Sequence, residues 1–159
     1  MKLVILYQAD KEQVKKWELA CKKRKIDYIL VDLFESNWLN NIRSLSPDLI
    51  LTKPPGDIEL NKLLFDERLY ILSKVLKIPV FPSCEETVIY ENKKMLSYYL
   101  EAKSLPHSKT RIFNTKGEAI KFFQNCSYPV VLKSSIGASG SGVKIVKSSK
   151  EACEYVKKA

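Results

Sequence analysis

Short apolar runs alternate with longer amphipathic segments through the first half of this 159-residue chain. The apolar runs have the length of buried strands and occupy residues 3–7, 27–33, 48–53 and 78–83. Between them, residues 14–20 and 60–77 place apolar side chains at helical spacing. Strands that alternate with helices pair in parallel through right-handed crossovers. The fold class is therefore predicted to be α/β, with a small Rossmann-like parallel αβα domain at residues 1–90.

The second half of the chain has a different order of elements. Ser83 and Glu86 have the capping-box spacing that predicts a helix start, and a second helix is predicted from Asn92 to just before Pro106. A short strand, a helix, two strands around a glycine-rich loop and a final helix follow at residues 109–113, 116–125, 129–146 and 149–159. These elements predict an α+β lobe at residues 91–159, with antiparallel strands flanking a glycine-rich flap.

The formal charge of +9 is concentrated in the second half. Residues 1–88 contain 14 basic and 13 acidic side chains, whereas residues 89–159 contain 13 basic side chains, five acidic side chains and no aspartate. A field of this sign favours polyanionic partners, which include nucleotide phosphates, nucleic acid and an acidic lobe of the same protein. A lysine-rich surface that is only solvated stays open as the alternative.

Neither a membrane segment nor a leader is evident in the sequence. No run reaches the length of about 18 apolar residues that a membrane span needs, and residues 1–10 turn polar too soon for a secretory leader. The cysteines occur singly, without metal-ligand spacing, at Cys21, Cys84, Cys126 and Cys153. We therefore expect a cytoplasmic protein with reduced thiols and no membrane partner.

The most distinctive motif is the stretch PVVLKSSIGASGSGVKIV at residues 129–146. Three of the five glycines, Gly137, Gly140 and Gly142, fall within six residues. A P-loop is excluded because its lysine follows the glycines, whereas Lys133 precedes them. A dinucleotide fingerprint is excluded as well, because the segment after Gly142 is β-rich instead of helical.

A nine-residue loop of this composition between two strands can turn several backbone N–H groups toward one point. Such a flap can close on phosphate oxygens, with hydroxyl donors from its serines and a point charge from Lys133 at its entrance. The composition also suits a plain flexible linker. The lysine directly before the loop favours the phosphate site.

The segment YPVVLKSSIGASGSGVKIV resembles the signature of the ATP-grasp superfamily, in which a strand of this kind precedes a glycine-rich flap and a further strand. Residues 92–110 are similar to the Asn-Lys helix and following turn of that family, although the second proline of the turn is lacking. The matching positions are Leu100, Leu105, Pro106 and Thr110. The αβα half resembles the preATP-grasp domain, so the resemblance covers essentially the whole chain.

The resemblance implies a nucleotide site formed by two lysines and the flap. Lys133 would contact ATP near the adenine and the α-phosphate, and Lys93 would contact phosphate from the other side. A lysine in the first turn of a helix faces the unfavourable end of the dipole, which a bound anion would relieve. The candidate ATP-binding residues are Lys93, Lys133, Ser135, Ser139, Gly140, Ser141, Gly142 and Val143. An exposed lysine without a role stays the alternative for Lys93.

The same resemblance implies a second, C-terminal lobe that carries the magnesium ligands. Residues 89–159 offer only five glutamates, predicted on or beside solvent-facing helices, so the ligands of Mg²⁺ are expected outside this chain. The chain is therefore interpreted as the N-terminal portion of an ATP-dependent carboxylate–amine or carboxylate–thiol ligase that acts through an acyl phosphate. ATP and a small carboxylate are the expected partners. No catalytic or metal-binding residue is assigned, and this chain alone is expected to be inactive.

Substrate residues are expected beyond the carboxyl ends of the first-half strands, where open α/β sheets bind ligands. These positions are residues 8–10, Asp32, 52–56 and 82–84. The turn at residues 54–56 is interpreted foremost as a rigid structural loop. Asp66, Glu67 and Arg68 are interpreted as a solvated helix face, and His107 receives no catalytic role.

Two other functions stay open. Lysines interleaved with eight aromatic side chains could hold single-stranded nucleic acid, but these aromatics fall at helical core spacings and no RNP, KH or zinc pattern occurs. The other is a non-catalytic nucleotide-binding module that has lost its second lobe. Self-association into a homo-oligomer is also left open.

Overall fold

The chain folds into two units that each have their own core. The structure is a computed structural model and describes residues 1–8, 11–56, 58–137, 140 and 142–158. The units are Met1–Tyr90 and Glu91–Ala159.

The first unit is built on four short strands that all run parallel. The strands are β1 (Leu3–Tyr7), β2 (Tyr28–Asp32), β3 (Leu49–Leu51) and β4 (Val80–Phe81), in the order β2-β1-β3-β4. Parallel strands that are covered on both faces need a continuous apolar sequence, and the buried run LVIL in β1 supplies it. The predicted parallel αβα class is confirmed. The connections reverse direction between β1 and β3.

Helices cover both faces of this sheet. They are α1 (Lys15–Arg24), α2 (Trp38–Leu45), α3 (Glu59–Tyr70) and α4 (Cys84–Ile89); a 3-10 turn at Lys11–Val14 precedes α1 and a π-helical turn at Ile71–Val75 follows α3. Leu3 and Ile5 pack toward Cys21 of α1. On the other face, Val4 and Leu6 share a core with α2, α3 and α4. Alternate side chains of one strand thus serve opposite layers.

The capping box predicted at the start of α4 is present. Ser83 Oγ accepts from the Glu86 backbone N–H at 3.2 Å, and the Glu86 carboxylate accepts from the Ser83 N–H at 2.8 Å. Two backbone donors at the start of the helix are therefore paired.

The interpretation of residues 66–68 as a solvated face is wrong for Asp66 and Arg68. Lys62 is 1% exposed and its ammonium donates to both Asp66 oxygens, at 2.6 Å for Oδ1. Arg68 donates to the carbonyl oxygen of Leu33 and lies over the Trp38 ring at 5.2 Å. These two side chains hold α3 in place, because charged groups next to a core are retained only where they are paired.

The second unit packs two helices against a two-stranded antiparallel sheet. Its elements are α5 (Lys93–Ala102), α6 (Lys116–Asn125), β5 (Val130–Lys133), β6 (Val143–Val146) and α7 (Ser149–Lys158). Ala119, Phe123, Val146 and Ala152 form its core. The predicted class, antiparallel strands around a glycine-rich loop, is confirmed.

The strand predicted at residues 109–113 is absent from the described structure. Residues 105–113 have no regular secondary structure. Phe113 instead packs against Phe122 and Phe123, with ring centroids 5.3 and 5.6 Å apart, and Arg111 lies over the Phe122 ring. Aromatic packing onto α6 thus replaces strand pairing for this segment.

None of the helices in the described ranges is both long enough and apolar enough to cross a membrane. All four cysteines are free thiols.

Candidate functional site

The two-stranded sheet of the second unit has one covered and one uncovered face. Opposite residues of an antiparallel pair share a face, and the register pairs Val131 with Ile145 and Lys133 with Val143. The alternate residues pack against α6 and α7, where Val146 is buried. Val131, Val143 and Ile145 are 52, 41 and 61% exposed. These three residues and Lys133 form an apolar surface with a cation at its end, called here the open face.

The glycine-rich loop is closed at its base by backbone contacts. The Ser134 N–H donates to the Gly142 carbonyl at 2.8 Å, and the Val143 N–H donates to the Gly140 carbonyl at 3.2 Å. Gly142 has φ +70°, and a Cβ atom there would lie 2.0 Å from Ser134 Oγ. Gly140 has φ +81°. Both positions therefore require glycine for a backbone reason.

The first turn of α5 holds the entry side of the same loop. Asn92 caps the helix by accepting from the Met95 N–H at 3.0 Å, and it forms a β-bridge with Ile136. The Lys93 N–H donates to the Ser135 carbonyl at 2.8 Å, and its ammonium donates to the Gly137 carbonyl at 2.6 Å. An ammonium has three donor positions, so Lys93 can hold the loop and still donate to a phosphate.

The structure brings most of the predicted ATP-binding residues around this loop. Lys133 is exposed at the end of β5, directly before the loop, and forms no ion pair within the described residues. Ser135 contributes its carbonyl to Lys93, while Gly140, Gly142 and Val143 form the return of the loop. Ser139 and Ser141 lie outside the described residues. Binding of phosphate by these residues stays a prediction.

The lysine of β6, Lys144, already has partners within the second unit. Lys144 lies opposite Leu132, with its ammonium 3.5 Å from Glu151 Oε1 and 5.7 Å from the centre of the Tyr155 ring. A hydrogen bond from the Lys147 N–H, helped by Lys144, holds the pKa of Glu151 below its ordinary value. Lys133 is thus better placed than Lys144 to attract an external anion.

Tyr128 anchors the start of β5. Its hydroxyl donates to the carbonyl oxygen of Phe123 at the end of α6. Burial raises the pKa of Tyr128 to about 12, so the hydroxyl keeps its proton at neutral pH. The strand that ends at Lys133 is therefore fixed to the core of the second unit.

This arrangement fits a nucleotide but not a bound metal ion. An apolar surface can carry a planar base, while a lysine and the N–H groups of a glycine-rich loop are donors for phosphate oxygens. Magnesium prefers several oxygen ligands. Within the part of the chain that the structure describes, no cluster of three or more His, Cys, Asp or Glu side chains could hold a metal ion.

The second unit is similar to a known protein family. Residues 91–159 match the family described as phosphoribosylglycinamide synthetase, ATP-grasp (A) domain. The resemblance to the ATP-grasp superfamily is confirmed. Over 73 residues the chain is 34% identical to the phosphoribosylamine–glycine ligase of Fusobacterium nucleatum subsp. nucleatum. That match covers 46% of this chain and 17% of the relative.

Solved ATP-grasp structures share the fold of this chain. A RimK domain protein of the ATP-grasp type from Sphaerobacter thermophilus matches with a TM-score of 0.66 at 17% identity. N5-carboxyaminoimidazole ribonucleotide synthetase from Thermotoga maritima also matches with a TM-score of 0.66, at 18% identity. Each match covers 99% of this chain but only 58% and 43% of the other chains, respectively. This chain therefore spans about half the length of these ATP-grasp structures.

Sequence reasoning missed the open face of the ATP-grasp unit. The signal was present, because VVLK and VKIV place Val131 and Ile145 at positions that a one-sided strand would give to polar residues. Apolar residues on both faces of a strand pair indicate that something covers each face. The bridge between Asn92 and Ile136 has no comparable local signal.

Proposed function

We propose that this chain supplies the first half of the nucleotide site of an ATP-dependent carboxylate–amine ligase. The adenine ring would lie on the open face, Lys133 would bind phosphate at the edge of that face, and the glycine-rich loop would close over the phosphates. The observation that carries the proposal is the apolar open face, which leads directly into the loop and ends at a lysine that has no ion pair in the part of the chain that the structure describes. Without Lys133, the open face could bind only an apolar group, because it would offer no cation to a phosphate.

The family match supports the ligase class. The relative from Fusobacterium nucleatum is named a phosphoribosylamine–glycine ligase, and the matching family is an ATP-grasp domain of that enzyme type. This chain aligns with only 17% of that relative, so its own carboxylate and nucleophile are not inferred from the name. The proposed reaction class is the joining of a carboxylate to an amine, with a thiol as the alternative nucleophile.

The residues of this chain would act by positioning and by charge neutralisation. Bound ATP would supply the γ-phosphoryl group that activates the carboxylate. Lys133 would offset phosphate charge, and Lys93 would hold residues 135–137 so that their backbone faces the phosphates. Gly140 and Gly142 would let the loop approach without side-chain clashes. No proton transfer is assigned to a residue of this chain.

The remaining ligands of the nucleotide are proposed to lie outside this chain. Residues 89–159 hold 13 basic and five acidic side chains, which suits binding of polyanionic phosphates but not of a divalent cation. A second, acidic lobe would supply the ligands of Mg²⁺ and complete the site. This chain alone is expected to bind ATP weakly and to release no ADP.

Nucleotide binding by a protein that carries this chain together with the proposed second lobe tests the proposal. ATP affinity is compared by calorimetry between wild-type protein, Lys133→Ala and the control Lys121→Ala, which removes an exposed lysine from α6 on the opposite side of the sheet. Loss of a charge-assisted hydrogen bond should weaken ATP binding by about tenfold in Lys133→Ala and leave it unchanged in Lys121→Ala. Equal affinities in all three proteins would remove Lys133 from the site.

Competition with ATP by two other ligands distinguishes a nucleotide site from a nonspecific basic surface. Adenosine should compete with ATP if the open face holds the base, whereas it should have no effect on a purely electrostatic site. Single-stranded DNA of matched charge should compete as well as ATP if the unit is a nonspecific basic surface. Carboxylate-dependent ADP release by a protein that carries both proposed lobes distinguishes a ligase from a non-catalytic nucleotide-binding module.

A further inference from the structure

Two buried polar side chains at the end of the parallel sheet have a side-chain atom without a hydrogen-bond partner. Gln8 directly follows β1 and is 6% exposed, and Thr52 directly follows β3 and is 1% exposed. Neither Gln8 Oε1 nor Thr52 Oγ1 has a partner among the described residues. Leaving such an atom unpaired costs about 1–3 kcal/mol. An ordered water or a ligand group beside the two atoms would remove this cost.

Both side chains lie on the same face of the sheet. The register pairs Ile5 with Leu51, so its continuation places Leu6 beside Thr52. Gln8 follows Leu6 by two residues, and side chains two apart in an extended chain share a face. Leu6 belongs to the core formed with α3 and α4. These strands are also the two between which the connections reverse, where open α/β sheets bind their ligands.

The hydrogen bond that Gln8 forms determines which ligand groups its side chain can bind. Gln8 Nε2 donates to the Lys53 carbonyl at 2.7 Å, which orients the amide and leaves Oε1 as an acceptor. A ligand must therefore bring an N–H or O–H donor to Gln8. The Thr52 hydroxyl can donate to an acceptor on the same ligand.

Thr52 lines a cleft with a volume of about 440 Å³. The cleft is also lined by Lys53, Phe81, Pro82, Glu86 and Tyr90. Tyr90 is 43% exposed, so its ring offers apolar surface to the cleft. The Phe81 ring lies on the other face of the sheet, with its centroid 6.3 Å from that of Trp17. The volume is within the range of about 300–1,000 Å³ that is usual for small-molecule sites.

One cation and one anion lie among the residues of the cleft. Lys53 is exposed, and Glu86 is the capping-box carboxylate of α4. The Ser83 N–H lowers the pKa of Glu86, so this carboxylate is charged at neutral pH. A carboxylate has about four acceptor positions, so Glu86 can cap the helix and still accept from a ligand.

We propose that this cleft binds an α-amino acid with an apolar side chain. The ammonium of the ligand donates to Gln8 Oε1 and Glu86, and its carboxylate accepts from Thr52 and Lys53. Its side chain packs against Pro82 and the ring of Tyr90. An α-amino acid matches the donor, the acceptor, both charges and the apolar wall within one small molecule.

Binding of the amino acid needs only residues of the first unit. Its role as a substrate of the ligase, by contrast, depends on the function proposed above. The two proposals can therefore fail separately.

Calorimetry on the whole chain without nucleotide tests the site. The ligands are leucine and phenylalanine, each in its L and D forms, and glycine. Two analogues of leucine serve for comparison: 4-methylpentanoate lacks the ammonium group, and 3-methylbutylamine lacks the carboxylate. The apolar amino acids should bind at least about tenfold more tightly than each analogue, because each analogue leaves a charged or buried polar group unpaired. Absence of heat with all of these amino acids, or equal binding of the amino acid and its analogues, would overturn the proposal.

Three variants locate the binding. Thr52→Val removes the hydroxyl at nearly constant volume and should weaken amino-acid binding by about fivefold. Tyr90→Ala removes a partly exposed ring of the cleft and should weaken binding of leucine and phenylalanine but not of glycine. Ser73→Ala is the matched control, because it removes another buried hydroxyl without a described partner that does not line the cleft.

Each outcome decides the proposal. Unchanged amino-acid affinity in Thr52→Val would exclude the Thr52 hydroxyl from the site and overturn the proposal, whatever the unfolding temperature of the variant. Lys133→Ala should bind the amino acid as wild type does. If this variant loses ATP binding but still binds the amino acid, the result supports both sites. If the wild-type protein binds the amino acid but never binds ATP, only the proposed function is contradicted.

Discussion

Lys93 Nζ donates a 2.6 Å hydrogen bond to the carbonyl oxygen of Gly137, so the first turn of α5 holds the glycine-rich loop 44 residues away. Lys93→Met removes this bond and keeps most of the aliphatic stem. We expect faster amide hydrogen exchange at residues 135–137, with local stability reduced by about 1 kcal/mol. Lys94→Met is the matched control, because Lys94 is the next residue and is exposed. Equal exchange rates in the two variants would contradict a holding role for Lys93.

Gly142→Ala should damage the base of the loop. The new Cβ atom would meet Ser134 Oγ at 2.0 Å in a residue with φ +70°, so both contact and backbone conformation become unfavourable. The free energy of unfolding should fall by about 1–3 kcal/mol, measured by urea denaturation. Ser134→Gly in the same chain should recover only the part that is due to the contact.

Gly117→Ala, in the same unit, should stabilise the protein instead of destabilising it. Gly117 lies in α6, and a Cβ atom there has no neighbour within 4 Å. Because alanine is the better helix former, this change should raise the free energy of unfolding by roughly 0.5–1 kcal/mol. If Gly117→Ala and Gly142→Ala lower stability equally, the geometric argument for Gly142 fails.

The buried pair of Lys62 and Asp66 should tolerate joint but not single replacement. Asp66→Asn leaves the Lys62 ammonium buried without a counter-charge, and should cost up to about 3 kcal/mol of stability. Lys62→Met combined with Asp66→Leu removes both charges and should be close to neutral. Glu67→Gln on the exposed side of α3 is the control. A double variant less stable than Asp66→Asn would show that the pair is a net source of stability.

Glu151 should make the stability of the second unit depend on acidic pH. The Lys147 N–H holds the pKa of Glu151 below its ordinary value of 4.5, so the stabilisation is complete above pH 4.5 and is lost as the pH falls through the folded-state pKa. Glu151→Gln can still accept this bond but does not titrate. The stability difference between wild type and Glu151→Gln, measured by chemical denaturation, should shrink as the pH falls below 4.5. A difference that is constant with pH would contradict this assignment.

The strands of the first unit could be predicted because burial on both faces demands a continuous apolar run. The run at residues 3–7 is such a case, and β1 has the same bounds. Helix α2 was not predicted, although Trp38, Ile42 and Leu45 follow helical spacing. Its eight residues are short enough to be taken for a loop between two strands. The helix predicted at residues 60–77 is only partly α-helical. Its α-helical bonding ends at Tyr70, and a π-helical turn follows.

The candidate site was predictable where it depends on local chain chemistry. Glycines at positions 140 and 142 indicated unusual backbone conformations, and both have positive φ. The contacts of Lys93 with Ser135 and Gly137 depend on how distant segments pack, and no local pattern encodes them. The substrate positions expected at residues 52–56 and 82–84 include Thr52, Lys53 and Pro82 of the cleft, but no local pattern indicates the burial of Thr52. Its unpaired hydroxyl is visible only after the sheet and α4 are assembled.

The pair β5–β6 has two strands, so within the described residues each strand keeps one backbone edge that no neighbour occupies. Exposed edges with apolar side chains invite pairing between separate molecules. Lys133 carries a positive charge at the end of β5 and forms no ion pair within the described residues, whereas Lys144 is paired with Glu151. Repulsion between the Lys133 ammonium groups of two copies should oppose such pairing. Neutralising Lys133 should therefore make the protein precipitate sooner, even where its fold is intact.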